Sequence, residues 1–198
     1  MTRLLIWAIW ETSGFDSTWA TVDDDRLEAI GRSCGLLPAP YWLSYHLQTD
    51  RAYRTRDMRV ESRWDQGTTQ LELHRDDQGW TVNGTPRADL ADALDCDLAA
   101  CPLTNIMPIR RHKLHQEPGD HTFVMAFIEI PTLNVVPSRQ RYTHLRRTDE
   151  GAVVQYRSGS FESELVVDND GFVIDYPKLG RRLQSRSPMP GIRPAGPG

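Results

Sequence analysis

Apolar and polar residues alternate with a period of two along most of this chain. Tyr41, Leu43, Tyr45 and Leu47 alternate with Trp42, Ser44 and His46, the pattern of a strand with one buried face. Residues 4–10 form a short apolar run, read as a buried first strand, and residues 14–19 are placed to pair back on it. Around Leu27 and Ile30 a strand is favoured over a helical turn. Residues 53–64 read as a long polar strand with Arg54 and Arg56 on one face. Leu71 and Leu73 enter the turn Asp76-Asp77-Gln78-Gly79, and Trp80 and Val82 leave it, a hairpin signature. Residues 121–130 are almost wholly apolar, which predicts burial on both faces. Further strands are expected at 142–147, 152–157 and 161–167. Asp168-Asn169-Asp170-Gly171 marks a second hairpin turn, with Phe172, Ile174 and Tyr176 sharing a face beyond it. Turn signals recurring every 8–12 residues or so describe a closed or rolled all-β architecture.

One region breaks the alternation. Leu90, Leu94 and Leu98 recur at every fourth position with alanines among them. This predicts helical structure between residues 89 and 105, limited by Pro102 and Pro108. Past Lys178 the chain turns Arg-rich and then Pro- and Gly-rich. A single domain over residues 1–184 and a disordered tail over 185–198 are expected.

Composition narrows the classes. With 198 residues the chain can bury a full core. A net charge of −4 argues against a nucleic-acid binder. No stretch approaches the roughly 20 apolar residues of a membrane helix. Arg3 and the apolar run after it are followed at once by Glu11, without a cleavage site, so a cytoplasmic protein is expected, with export the lesser alternative. Three cysteines are too few for a disulfide scaffold. Lysine occurs only at positions 113 and 178, so nearly all positive charge is arginine, which suits carboxylates, phosphates and sugar hydroxyls.

Local catalytic motifs are missing. There is no G-x-S-x-G elbow, phosphate-binding loop or dinucleotide fingerprint. Cys96 and Cys101 with His112 and His115 lack the tight paired spacing of zinc sites, so no metal or cofactor is expected. Asp92, Asp95 and Asp97 lie close in sequence; they offer either acid–base chemistry or solvated helix caps. Arginines 51–63 are diluted by acidic neighbours, which fits ion-paired sheet faces as well as a ligand surface.

The segment from Asp95 to Arg111, DCDLAACPLTNIMPIRR, resembles the pattern D-x-D-L-x-x-[ST]-P-x-T-N-x-x-P-I-R-R of the "putative glycolipid-binding" family. Leu43–Tyr45 with Asp50 and Arg54-Thr55-Arg56, then Gly79-Trp80-Thr81-Val82, then Gln140-Arg141-Tyr142, Tyr156 and Gly171–Pro177 follow that family's landmarks in order. Tyr53, Phe15-Asp16, Cys101 and Lys113-Leu114 depart from it. The resemblance implies a spiral β-roll, a long antiparallel-rich sheet wrapped around a single α-helix and similar to bacterial lipoprotein carriers. It also implies a homodimer and a glycolipid ligand.

On that basis an amphipathic small molecule is the expected partner, with no nucleic acid and no integral membrane association. Phe123, Met125 and Phe127 are candidate wall residues. Arg54, Arg56, Thr104, Asn105, Arg110 and Arg111 are candidate head-group contacts. Asp95 and Asp97 with Tyr142, Tyr156 and Tyr176 complete the expected ligand-binding set. If residues 110 and 111 are extended, their side chains face opposite ways. The inward one must then pair with Asp95 or Asp97, or with a ligand. The rival reading of the motif is structural, its polar groups satisfying buried backbone around two prolines. A non-enzymatic binding protein is the first expectation. An enzyme using Asp95, Asp97 or His112, and a dimeric module with a filled interior, are the alternatives.

Overall fold

The computed structural model describes residues 1–183. Eight strands follow one another as antiparallel neighbours: β1 (Thr2–Ile9), β2 (Gly14–Val22), β3 (Leu27–Gly35), β4 (Tyr41–Thr49), β5 (Thr55–Trp64), β6 (Gly67–Asp76), β7 (Gly79–Val82) and β8 (Thr85–Pro86). A second series runs from β9 (Ala93–Leu98) through β10 (Asp120–Ile128), β11 (Val135–Thr148), β12 (Gly151–Ser158), β13 (Phe161–Asp168) and β14 (Val173–Tyr176) to β15 (Gly180–Arg182). β15 pairs antiparallel with β1, so the two series form one 15-stranded sheet with β8 and β9 at its ends.

The alternation seen in sequence is the alternation of burial. In β3 every second residue is buried, and Tyr41, Leu43, Tyr45 and Leu47 of β4 all face inward. Both expected hairpin turns are present, β6–β7 and β13–β14. The long strand expected from residue 53 starts at Thr55, because Tyr53 holds a left-handed φ of 56°. In β10 two-sided burial is confined to Met125 and Ala126.

As helical structure the expected range holds only 3-10 turns, at Ala88–Leu90 and Pro102–Asn105, and the α-helix lies just downstream of it. Residues 93–98 are strand β9, paired in parallel with β10. The fourfold leucine spacing is overridden because the sheet ladder satisfies this backbone and sets Asp95 and Cys96 into the interior. A left-handed Ala100, φ 56°, turns the chain into a short 3-10 segment (Pro102–Asn105) with its proline in the first turn, and then into α1 (Ile106–Arg111). Pro108 falls in the first turn of α1, where its missing N–H has no intrahelical partner to lose. Ile106, Met107 and Ile109 are fully enclosed. Residues 110 and 111 are therefore helical rather than extended, about 100° apart on the helix instead of on opposite faces.

The sheet rolls over this helix and its ends meet. Trp80 Nε1 donates to Ala93 O at 2.8 Å, the Cys96 amide to Thr55 Oγ1 at 2.9 Å, and Arg87 to Val135 O at 2.9 Å. The first two contacts, from β7 and β5, cover the free side of β9, where an open edge would leave unpaired backbone, and the third ties the segment after β8 to β11. No helix among the described residues is long and apolar enough to cross a membrane. The proposed tail, 185–198, lies outside the described residues.

Candidate functional site

Beside the end of β9 the roll holds a cavity of about 240 Å³. Asp97 from β9 and Asn105 from the 3-10 segment line it together with Glu11, which sits in the turn after β1. Tyr156, Phe161 and Tyr176, from β12, β13 and β14, supply three rings. They pack edge to face, with centroids 5.9 Å apart for Tyr156–Phe161, 5.9 Å for Tyr156–Tyr176 and 6.2 Å for Phe161–Tyr176. An apolar groove of about 700 Å³, walled by Leu37, Pro38, Trp64, Ile130 and Pro131, adjoins the cavity. The two spaces share Glu11, Ala99, Ala100 and Phe127.

A rigid polar frame stands behind Asp97. Thr104 Oγ1 donates to Asp97 Oδ1 at 2.7 Å and Gln140 Nε2 to Oδ2 at 2.6 Å. The Tyr142 hydroxyl lies 2.9 Å from Asn105 Oδ1 and 3.2 Å from Gln140 Oε1, so its proton bonds one or the other. Asn105 Nδ2 donates to Pro102 O at 3.2 Å. Burial pushes the Asp97 carboxyl above the usual carboxylate range, and the Thr104 and Gln140 bonds oppose that rise. Among the described residues Asp97 has no cationic partner. Burial also raises the phenol pKa of Tyr176, whose hydroxyl bonds no group among the described residues although the residue is only 4% exposed.

The expected site residues therefore divide. Asp97, Asn105, Tyr156 and Tyr176 meet at the cavity, with Thr104 and Tyr142 immediately behind. Asp95 is fully buried and accepts from both terminal nitrogens of Arg111, at 2.7 and 2.6 Å. Arg110 donates to the Tyr53 hydroxyl at 2.6 Å and to Asp170 O at 2.8 Å. Arg54 is held by Asp50 at 2.7 Å, and exposed Arg56 lies 3.5 Å from Asp57. These last two face a separate polar surface pocket with His74 and Trp80. Of the wall candidates Phe127 lines both spaces, whereas Phe123 lies beneath the Arg111 guanidinium and Met125 is core.

The His112 and His121 rings lie 4.1 Å apart and tilted by 33°, and the His112 pKa is pushed down to about 4, first by burial and then by the nearby His121 and Arg111. It lines neither the cavity nor the groove. The cysteines are free thiols, Cys34 exposed and Cys96 and Cys101 buried. No group of three or more metal-binding side chains occurs among the described residues.

Sequence reasoning missed Glu11, Phe161 and the groove residues other than Phe127. Glu11 is 86 positions from Asp97, and no local pattern links them; only its place directly after an apolar strand marked it.

Fold and site together define a class: mainly-β rolls closed over one short helix, with a polar cavity opening beside an apolar groove. The chain belongs to the family described as "Putative glycolipid-binding", whose model matches residues 4–182. Among solved structures it is similar to a DUF1089 family protein from Pseudomonas aeruginosa, with 31% identity and a TM-score of 0.71 over 85% of this chain and 92% of that one. No curated protein matches it.

Proposed function

We propose that the protein binds an amphipathic molecule, its polar head in the cavity and its chain in the groove, and holds it without converting it. One observation carries this reading: the polar cavity and the apolar groove lie side by side, with Glu11, Ala99, Ala100 and Phe127 common to both linings. Their combined size falls within the roughly 300–1,000 Å³ of small-molecule sites. The carboxylate of Asp97 and the unpartnered Tyr176 hydroxyl are hydrogen-bonding positions suited to a hydroxyl-rich head. A glycolipid, to which the family's name points, has both parts. Ring faces and edges at the wall suit the apolar faces of a sugar.

The reading extends to a cytoplasmic homodimer. Leu4, Trp19 and Ile30 are cross-strand neighbours on the outer face, each about half exposed, and form an apolar row that a second copy would cover. Sedimentation would report the dimer.

The central test is calorimetric titration with n-decyl glucoside, together with native mass spectrometry of the freshly purified protein. Binding, or a co-purified lipid, is expected, and Leu37→Glu, a groove substitution at an exposed position, should weaken it. A panel of esterase and glycosidase substrates should show no turnover. Absence of both binding and co-purified lipid would overturn the reading; turnover that depends on Asp97 would favour the enzyme alternative.

A further inference from the structure

The charge of the site bears on the head group. Glu11 and Asp97 line the cavity, and Glu129 lines the adjoining groove. No lysine, arginine or histidine lines either space among the described residues. This is notable in a chain whose arginines are so plentiful. Those near the motif are engaged elsewhere: Arg111 by Asp95, and Arg110 by Tyr53 and Asp170. Lys178 lies 5.2 Å over the Phe161 ring but is not part of the lining.

The hydrogen-bonding inventory has the same sign. Thr104 and Gln140 each occupy one lone pair on the two Asp97 oxygens, leaving acceptor capacity on both. Asn105 gives one of its two amide protons to Pro102 O, and its oxygen competes with Gln140 Oε1 for the Tyr142 proton. Ser138 and Ser158 are within 3.3 Å of each other. What remains for a ligand is mostly acceptor, from the Asp97 and Glu11 carboxylates, against one Asn105 N–H, with the Tyr176 and serine hydroxyls able to serve either way. Three aromatic rings, whose faces carry partial negative charge, complete the wall.

Resting on the amphiphile reading above, we propose that the head group is cationic: an ammonium on an amine-bearing amphiphile, seated between Asp97 and Glu11. An ammonium brings donors only and is attracted by both carboxylates and the rings. A phosphate, sulfate or carboxylate head would meet like charge with no cation in the lining to receive it, so the same lining disfavours anionic amphiphiles.

The test compares three probes of one chain length, n-decylammonium, n-decyl glucoside and n-decyl sulfate. They are titrated calorimetrically below their micellar concentrations, with melting temperature checked in each. The ammonium should bind about tenfold tighter than the glucoside, and the sulfate weaker than both. The glucoside should displace the ammonium, which places both in one site. Glu11→Gln and Asp97→Asn should each shrink the ammonium's advantage several-fold. Glu11 is exposed, so its variant remains informative if Asp97→Asn folds poorly. Equal binding of all three, or tightest binding of the sulfate, would overturn the cationic head and leave the amphiphile reading standing. So would an undiminished ammonium preference in folded Glu11→Gln protein. Binding of none of the three, with no co-purified lipid, would overturn both.

Discussion

Arg111, at the C-terminal end of α1, grips Asp95 of β9 through two parallel hydrogen bonds of 2.7 and 2.6 Å, and Asp95 has no exposed surface. Guanidinium and carboxylate meet fork to fork, the strong form of this contact. The pair ties helix to strand and joins the two ends of the motif from Asp95 to Arg111. A cation near a helix C-terminus is also favourably placed.

Breaking that pair should be expensive. Arg111→Ala leaves a buried carboxylate without its partner and is expected to cost about 3–5 kcal/mol. Arg110→Ala loses bonds to a hydroxyl and to carbonyl oxygens instead, and should cost about 1–2 kcal/mol. Urea denaturation of the two variants side by side measures the difference; equal costs would contradict the assignment of Asp95 to Arg111. Replacing both partners with apolar residues, Arg111→Met with Asp95→Leu, should recover much of the loss.

Asp16 predicts a dependence on pH. It is fully buried on the inner face of β2, and its carboxyl accepts from Thr18 Oγ1 at 3.0 Å and from the Tyr45 hydroxyl. Burial lifts its pKa from 3.8 to about 7, against the opposing effect of those bonds. The native state then keeps a proton that the unfolded chain releases near pH 4. Its contribution to stability is complete below that pH and is lost as pH rises through about 7, by up to about 4 kcal/mol. Asp16→Asn should remove this slope, so the stability difference between variant and parent should grow in the variant's favour from pH 5 to pH 8. A constant difference across that range would refute the buried-proton assignment.

Gly31 is needed for space rather than for backbone freedom. A Cβ at this position of β3 would come 2.2 Å from the Tyr45 ring. Gly31→Ala therefore has to displace Tyr45, and with it the hydroxyl that serves Asp16 and Thr18. A loss of at least about 1–3 kcal/mol is expected, the usual cost of overpacking. Thermal melting gives the answer, and an unchanged midpoint would show that the ring moves freely.

Tyr176→Phe separates stability from binding. Its hydroxyl has no partner among the described residues, so removing it should leave the melting temperature unchanged or slightly higher. The same change should weaken n-decyl glucoside, which would lose a hydrogen bond in the cavity. A clear drop in stability would mean the hydroxyl is satisfied within the protein.

Strand phase was legible where side chains of contrasting polarity alternate. β3 and β4 are such cases, and their inward residues follow from the period alone. β2 is the opposite case. It buries Asp16 and Thr18 while Phe15 and Trp19 stand more than half exposed. Hydropathy would invert that strand. Its phase is set by its register with β1, where Asp16 lies opposite buried Trp7, and by Tyr45 reaching Asp16 from β4.

What the sequence determined by itself was the local grammar: a mainly β chain, its hairpin turns and the motif from Asp95 to Arg111. Each depends on residues close together, whose alternation, turn chemistry and spacing act without help from distant chain. The tertiary structure decided the rest. It made residues 93–98 a strand, because pairing with β10 outweighed a leucine spacing suited to helix. It turned the motif's arginines away from the cavity by giving Arg111 to Asp95. And it brought Glu11, Asp97, Tyr156 and Tyr176 into one lining, because a long sheet rolled over a short helix joins strands far apart in sequence. A buried charge takes the best partner the closed fold offers, and that choice is made between elements rather than within them.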